Sequence, residues 1–157
     1  MIIKGLIEED FVQYKKPSMT IFFPTCTFKC EKDCGERVCQ NSALATSKAF
    51  DIKTIDIVNR YMNNPISKSI VFSGLEPFDS WENLKLLLME FRIRTDDDIV
   101  IFTGYTEEEL QYQIEWLKQY KNIVIKFGRF IPNQESHFDE VLEVELASPN
   151  QYARRIS

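Results

Sequence analysis

The chain has 157 residues, 44% of them hydrophobic, 27% charged and 13% aromatic, with a formal net charge of −5. This is the size and make-up of one folded domain, 1–157, without a low-complexity segment. The acidic balance argues against a surface that tracks nucleic-acid phosphates, and no apolar run approaches the roughly 20 residues that span a bilayer; with an N-terminus unlike a signal peptide, the expectation is a cytoplasmic protein that binds neither nucleic acid nor membrane.

In chain order, the section through Lys16 is mixed and polar and predicts no element. Residues 19–23 are β-branched, aromatic or apolar and predict a buried strand. All four cysteines, Cys26, Cys30, Cys34 and Cys39, then crowd into the loop 24–41. A short helix is expected over 41–46, and Asp51 is placed as the cap of a helix over 52–62 whose Ile55, Val58 and Met62 recur at helical spacing. Residues 69–72 form a second strand that ends in the turn Ser73-Gly74-Leu75-Glu76-Pro77. A helix from Asp79 or Ser80 to about Arg92 follows, with Leu84, Leu87, Leu88 and Phe91 on its apolar face. After the acidic run 95–98, read as a solvated turn, 98–102 forms a third strand that breaks at Thr103-Gly104-Tyr105. Thr106 and Glu109 make a capping box for a helix burying Leu110, Ile114 and Leu117. Strands are expected over 122–127, ending at Gly128, and over 140–146, ahead of a polar tail.

Alternating strands and helices predict an α/β fold of parallel βαβ units with right-handed crossovers. In such sheets and barrels ligands gather outside the carboxyl ends of the strands. The cysteine loop, the turn 73–77, Thr103 to Thr106 and Gly128-Arg129 therefore share one edge. Clustered thiols in a reducing compartment read as a ligand set more readily than as disulfide staples. Four thiolates could close a zinc site, whereas three holding a [4Fe–4S] cluster would leave one iron open. The spacing alone leaves both open.

Cys26 and Cys30 with three residues between them, followed later by Cys39-Gln40-Asn41, resemble the three-cysteine signature of radical S-adenosylmethionine (SAM) enzymes, particularly the small activases. Ser73-Gly74-Leu75-Glu76-Pro77 is similar to the Ser-Gly-Gly-Glu/Asp-Pro segment of that family. The stretch IFTGYTEEEL from Ile101 to Leu110 resembles the YTGYTxExL of anaerobic ribonucleotide reductase activating proteins. Gly128-Arg129-Phe130 and Ser148-Pro149-Asn150-Gln151 are similar to further segments of the same family. There are two departures. The family has two residues between its second and third cysteines, whereas eight separate Cys30 from Cys39 and Cys34 intervenes; Leu75 stands where the family has its second glycine. Gln40-Asn41 continues the family pattern after Cys39, which favours Cys39 over Cys34 as third ligand.

The resemblance implies an incomplete TIM-like (partial β/α) barrel of the radical SAM type. Cys26, Cys30 and Cys39 would hold a [4Fe–4S] cluster, and Gly74, Glu76, Thr103 and Gly104 would line the SAM site. It further implies an enzyme that cleaves SAM reductively and installs a glycyl radical on the large subunit of an anaerobic ribonucleotide reductase, with an electron donor such as flavodoxin or ferredoxin. A radical SAM enzyme acting on a peptide or small molecule, and a non-catalytic zinc-binding module, are the alternatives.

Overall fold

In a computed structural model describing residues 1–157, the chain runs β1 (Ile2–Ile3), β2 (Gly5–Asp10), β3 (Ser18–Phe23), α1 (Lys29–Cys34), α2 (Ser42–Thr46), β4 (Phe50–Asp51), α3 (Thr54–Asn63), β5 (Ser69–Gly74), α4 (Trp81–Arg92), β6 (Asp98–Phe102), α5 (Gln111–Leu117), β7 (Ile123–Phe127), β8 (His137–Asp139), β9 (Val144–Leu146) and β10 (Tyr152–Arg155). Single 3₁₀ turns lead into α4 and α5. Six strands pair in the order β10-β7-β6-β5-β3-β2. The central four are parallel and lie in sequence order, while β2 and β10 run antiparallel on the two edges. Each crossover moves to the next strand along with the same hand, which puts α3, α4 and α5 on one face. The result is the mixed α/β sheet expected from the alternation, an arc of a β/α barrel that is left open.

The period of two in the strands sorts side chains onto two faces. Ile21, Phe23, Ile70, Phe72, Ile99, Ile101, Ile125 and Phe127 pack against Val58, Leu84, Leu88, Phe91, Ile114 and Leu117 of the helices. On the other face Val71, Val100, Val124 and Ala153 are covered by Tyr14, Leu142 and Leu146. The hollow of the arc is thus filled by the loop after β2 and the β8–β9 hairpin, leaving room only towards the carboxyl ends of the strands. No helix is long and apolar enough to cross a membrane.

Four local expectations need correction. The N-terminal section is not featureless: Gly5–Asp10 pairs with β3 as an edge strand whose Glu8 and Glu9 face water, while Asp10 is buried. The polar tail likewise supplies β10, paired with β7. In place of one strand over 140–146, β8 and β9 form a separate hairpin, with Asp139 accepting from the amides of Val141 and Leu142 at its turn. Asp51 caps nothing; it lies in β4, ion-paired to the Met1 ammonium at 3.1 Å, and α3 starts at Thr54.

The acidic run before β6 is also not simply solvated. Asp98 is only 5% exposed. It accepts from Lys16 Nζ at 2.6 Å, from Tyr14 Oη at 3.0 Å and from Arg155 at 2.8 Å, tying the loop before β3 and the last strand to the foot of β6. Burial alone would raise this carboxyl, but these three donors outweigh it and hold it below the ordinary range. A depressed folded pKa means the stabilisation is complete above the unfolded value of about 3.9 and is lost as pH falls through the folded value. Asp98→Asn should therefore cost about 1–3 kcal/mol at neutral pH. In urea unfolding, the gap between variant and wild type should close below about pH 4; a gap that is independent of pH would refute the role of the charge.

Candidate functional site

The cysteine loop leaves β3 at Phe23 and is fastened at both ends to the end of β5. The Glu76 amide donates to the Thr25 carbonyl at 2.8 Å, and the Thr27 amide donates to Asp79 Oδ2 at 2.7 Å. At the far end Asn41 Nδ2 donates to the Gly74 carbonyl at 2.9 Å. Between these anchors Phe28 takes the left-handed conformation (φ 53°) and α1 begins, carrying Cys30 and Cys34, until Gly35 (φ 74°) stops it. The Phe28 amide donates to Cys26 Sγ at 3.2 Å.

Cys26, Cys30 and Cys39 open into one cavity of about 280 Å³ at the carboxyl ends of the strands. Gly74, Glu76, Thr103 and Gly104 line the same cavity, so the structure brings all seven sequence-derived site residues together. Cys34 is not among its walls. The four cysteines are free thiols. Burial pushes the Cys26 thiol up to about 11, and burial followed by the nearby Cys39 raises Cys30, so ligation there must displace protons. No three thiols, carboxylates or imidazoles converge closely enough to hold one metal ion. A tetrahedral zinc with 2.3 Å bonds would need its sulfurs about 3.8 Å apart. A cuboidal cluster spreads its ligands over a larger body. Three thiols facing one cavity fit that group.

Glu76 is only 5% exposed. Its carboxylate accepts from the Phe78 amide at 3.2 Å, Thr103 Oγ1 at 2.8 Å and the Gly104 amide at 2.9 Å. The Glu76 side chain thus spends its oxygens joining the loops after β5 and β6. Burial, only partly offset by these donors, raises it to about 7. Gly74 is held by a different constraint. It sits at φ 102°, and a Cβ there would lie 2.6 Å from the Phe23 nitrogen, against the backbone of β3. Gly104 has neither restriction, because its added Cβ would meet Arg129 Cγ at 3.6 Å and Glu76 Oε2 at 3.7 Å.

Sequence reasoning did not assign the cations of this cavity. Lys126, on β7, is 8% exposed and lines it, with its Nζ donating to the Gly128 carbonyl at 3.0 Å. Arg129 pairs with Glu109 at 2.6 Å and with Asp33 of α1 at 3.1 Å, while Lys29 lies 4.3 Å from the centre of the Tyr105 ring. These contacts lean the cysteine helix over the ends of β6 and β7. The signal for Lys126 was a lysine inside a strand otherwise made of Ile, Val and Phe. Gln151, at the end of the segment 148–151 that resembles the family, also lines the cavity, as does Gln13, which nothing in its local sequence marks.

A cavity lined by three thiols, at the carboxyl edge of an open parallel β/α sheet, defines an α/β domain built to hold a metal cluster. The sequence matches the family described as a 4Fe-4S single cluster domain over residues 17–151, and the chain belongs to that family. No curated protein and no solved structure matches it.

Two outcomes follow from the geometry. Gly74→Ala should destabilise the fold by about 2–5 kcal/mol, combining left-handed strain with overpacking, whereas Gly104→Ala should unfold close to wild type in denaturant titrations. Equal stability of the two variants would contradict the close approach at Phe23. Glu76 has a folded pKa above its unfolded value of about 4.3, so its contribution is greatest below that pH and is lost as pH rises through about 7. Glu76→Gln should flatten the stability profile over this interval; an unchanged slope would place the titration elsewhere.

Proposed function

We propose that this chain is a radical SAM activase that generates a glycyl radical on a larger partner, an anaerobic ribonucleotide reductase. The observation that carries the reading is that Cys26, Cys30 and Cys39 share one cavity with Gly74, Glu76, Thr103 and Gly104, the positions where the sequence resembles such activases. When bound, a [4Fe–4S] cluster with SAM would supply the electron that cleaves the sulfonium to methionine and a 5′-deoxyadenosyl radical.

The residues of the chain divide the remaining work. Cys26, Cys30 and Cys39 hold the cluster as thiolates, and Cys34, outside the cavity, is not needed for it. Glu76 fixes the loops after β5 and β6 so that Thr103 and Gly104 form a rigid wall for the cofactor. Gly74 lets the end of β5 lie against β3, and its carbonyl holds Asn41 at the end of the cysteine loop. Water has to be excluded while a radical is present, which calls for a lid over the open side of the cavity. The partner supplies it: a glycine-bearing segment of the reductase enters the open side of the cavity and closes it. A low-potential donor such as flavodoxin or ferredoxin delivers the electron.

Anaerobic reconstitution should give about four iron per chain, as a cuboidal cluster requires. Cys26→Ala, Cys30→Ala and Cys39→Ala should each abolish it and Cys34→Ala should spare it. With reductant and SAM the wild type should release 5′-deoxyadenosine, and with the cognate reductase it should produce a glycyl doublet by electron paramagnetic resonance. Stoichiometric zinc without iron would leave a non-catalytic zinc module. SAM turnover without a radical on the reductase would transfer the reading to an enzyme acting on a peptide or small molecule.

A further inference from the structure

The charges around the cavity run against those of the chain. The protein carries a net charge of −5, yet the charged residues lining this cavity are Lys29, Lys126 and Arg129 against Glu76 alone. Lys29 and Arg129 are already satisfied by Glu109 and Asp33. Lys126 is not: it is nine-tenths buried, makes no ion pair, and its one hydrogen bond goes to the Gly128 carbonyl. A buried ammonium costs several kcal/mol unless an anion accompanies it. Its nearest acid, Glu76, has both oxygens engaged by other donors.

The missing anion can be identified from what else faces the cavity. Strands β3 and β7 are three steps apart in the sheet, about 14 Å at the usual spacing. The cysteine helix, however, does not stay above β3. Asp33 is 3.1 Å from Arg129, just beyond β7, and Cys30 lies three residues before Asp33 on the same side of α1. The thiols and Lys126 consequently approach one another across a single cavity. Three thiolates around an oxidised [4Fe–4S] core carry a net charge of minus one, which becomes minus two when one electron is added.

We propose that Lys126 is the built-in counter-ion of the cluster, placed on the far wall of the cavity to favour its one-electron reduced state. The inference rests on the cluster ligation proposed above and does not depend on SAM cleavage. The electron comes from an external one-electron reductant. Lys126 exchanges no electron or proton in the step and acts only through its charge, which gains more from the dianionic than from the monoanionic assembly. Burial draws the Lys126 ammonium down to about 8, opposed by Glu76, so the group still carries its charge near neutral pH.

The test is a dye-mediated redox titration of the reconstituted protein at pH 7, with dithionite as reductant and the reduced cluster read by electron paramagnetic resonance. Lys126→Met should disfavour reduction about tenfold, a fall of about 59 mV for one electron, while Lys126→Arg should stay near wild type. Leu75→Lys adds a cation to the same cavity from a partly exposed position and should raise the potential, which keeps the question decidable if Lys126→Met does not fold. The proposal is overturned if Lys126→Met holds its iron at an unchanged potential, if Lys126→Arg falls as far as Lys126→Met, or if Leu75→Lys has no effect. Absence of iron from the wild type would instead remove the ligation on which the inference rests.

Discussion

The hydrogen bonds to the buried carboxylate of Glu76 are the interaction on which the rest of the site depends. One side chain accepts from its own turn, from Thr103 and from Gly104, and its backbone amide reaches the Thr25 carbonyl at the start of the cysteine loop. The carboxyl edges of β3, β5 and β6 are therefore joined through one residue. Hydrogen bonds to a charged group are each worth about 1.5–3 kcal/mol, enough to offset much of the cost of burying the carboxylate. Remove that acceptor and three donors are left facing a cavity wall. The glycine two residues earlier works with it: only a residue without Cβ lets β5 end against the Phe23 backbone, and only then can Glu76 point under the loop.

The open arc explains why the site lies where it does. A closed barrel would fill its interior with side chains from opposing strands. Here the chain supplies the filling itself, through Tyr14 from one side and Leu142 and Leu146 from the other. They cover the lower part of the concave face, Phe102 packs against that filling, and Ser73, Phe102 and Lys126 line the cavity above it. Asp98 secures this arrangement from below, because its partners Lys16 and Arg155 come from segments at opposite ends of the sequence. The same architecture leaves one side of the cavity accessible to a ligand or a partner protein.

How much of this could be read from the sequence depended on burial. β5, β6 and β7 are covered on both faces and thus appear as continuous runs of Ile, Val and Phe, and the helices between them carry regular apolar spacing. Edge strands lack that signature. Gly5–Asp10 and Tyr152–Arg155 are rich in charge because one side of each has no neighbouring strand, which also protects those edges from pairing with other chains. Loop residues of the site were legible wherever composition marked them, as for the clustered thiols, Gly74 and Gly104. Lys126 was ambiguous because a lysine in a strand can face solvent as easily as a cavity, and only the tertiary fold turns it inward. Asp98 was misjudged for a related reason: its three neighbours in Thr95-Asp96-Asp97 are polar, while the donors that bury it lie 57, 82 and 84 residues away in the chain.

Three of the four cysteines converge on one cavity, while the fourth lies outside. The most direct measurement is a crystal structure of the anaerobically reconstituted protein, phased or mapped with anomalous scattering at the iron edge. Iron should be bound by Cys26, Cys30 and Cys39, with the remaining iron facing the cavity between Gly74 and Gly104 and Cys34 free. A cluster ligated by Cys34 in place of Cys39, or a single metal ion held by all four thiols, would contradict it.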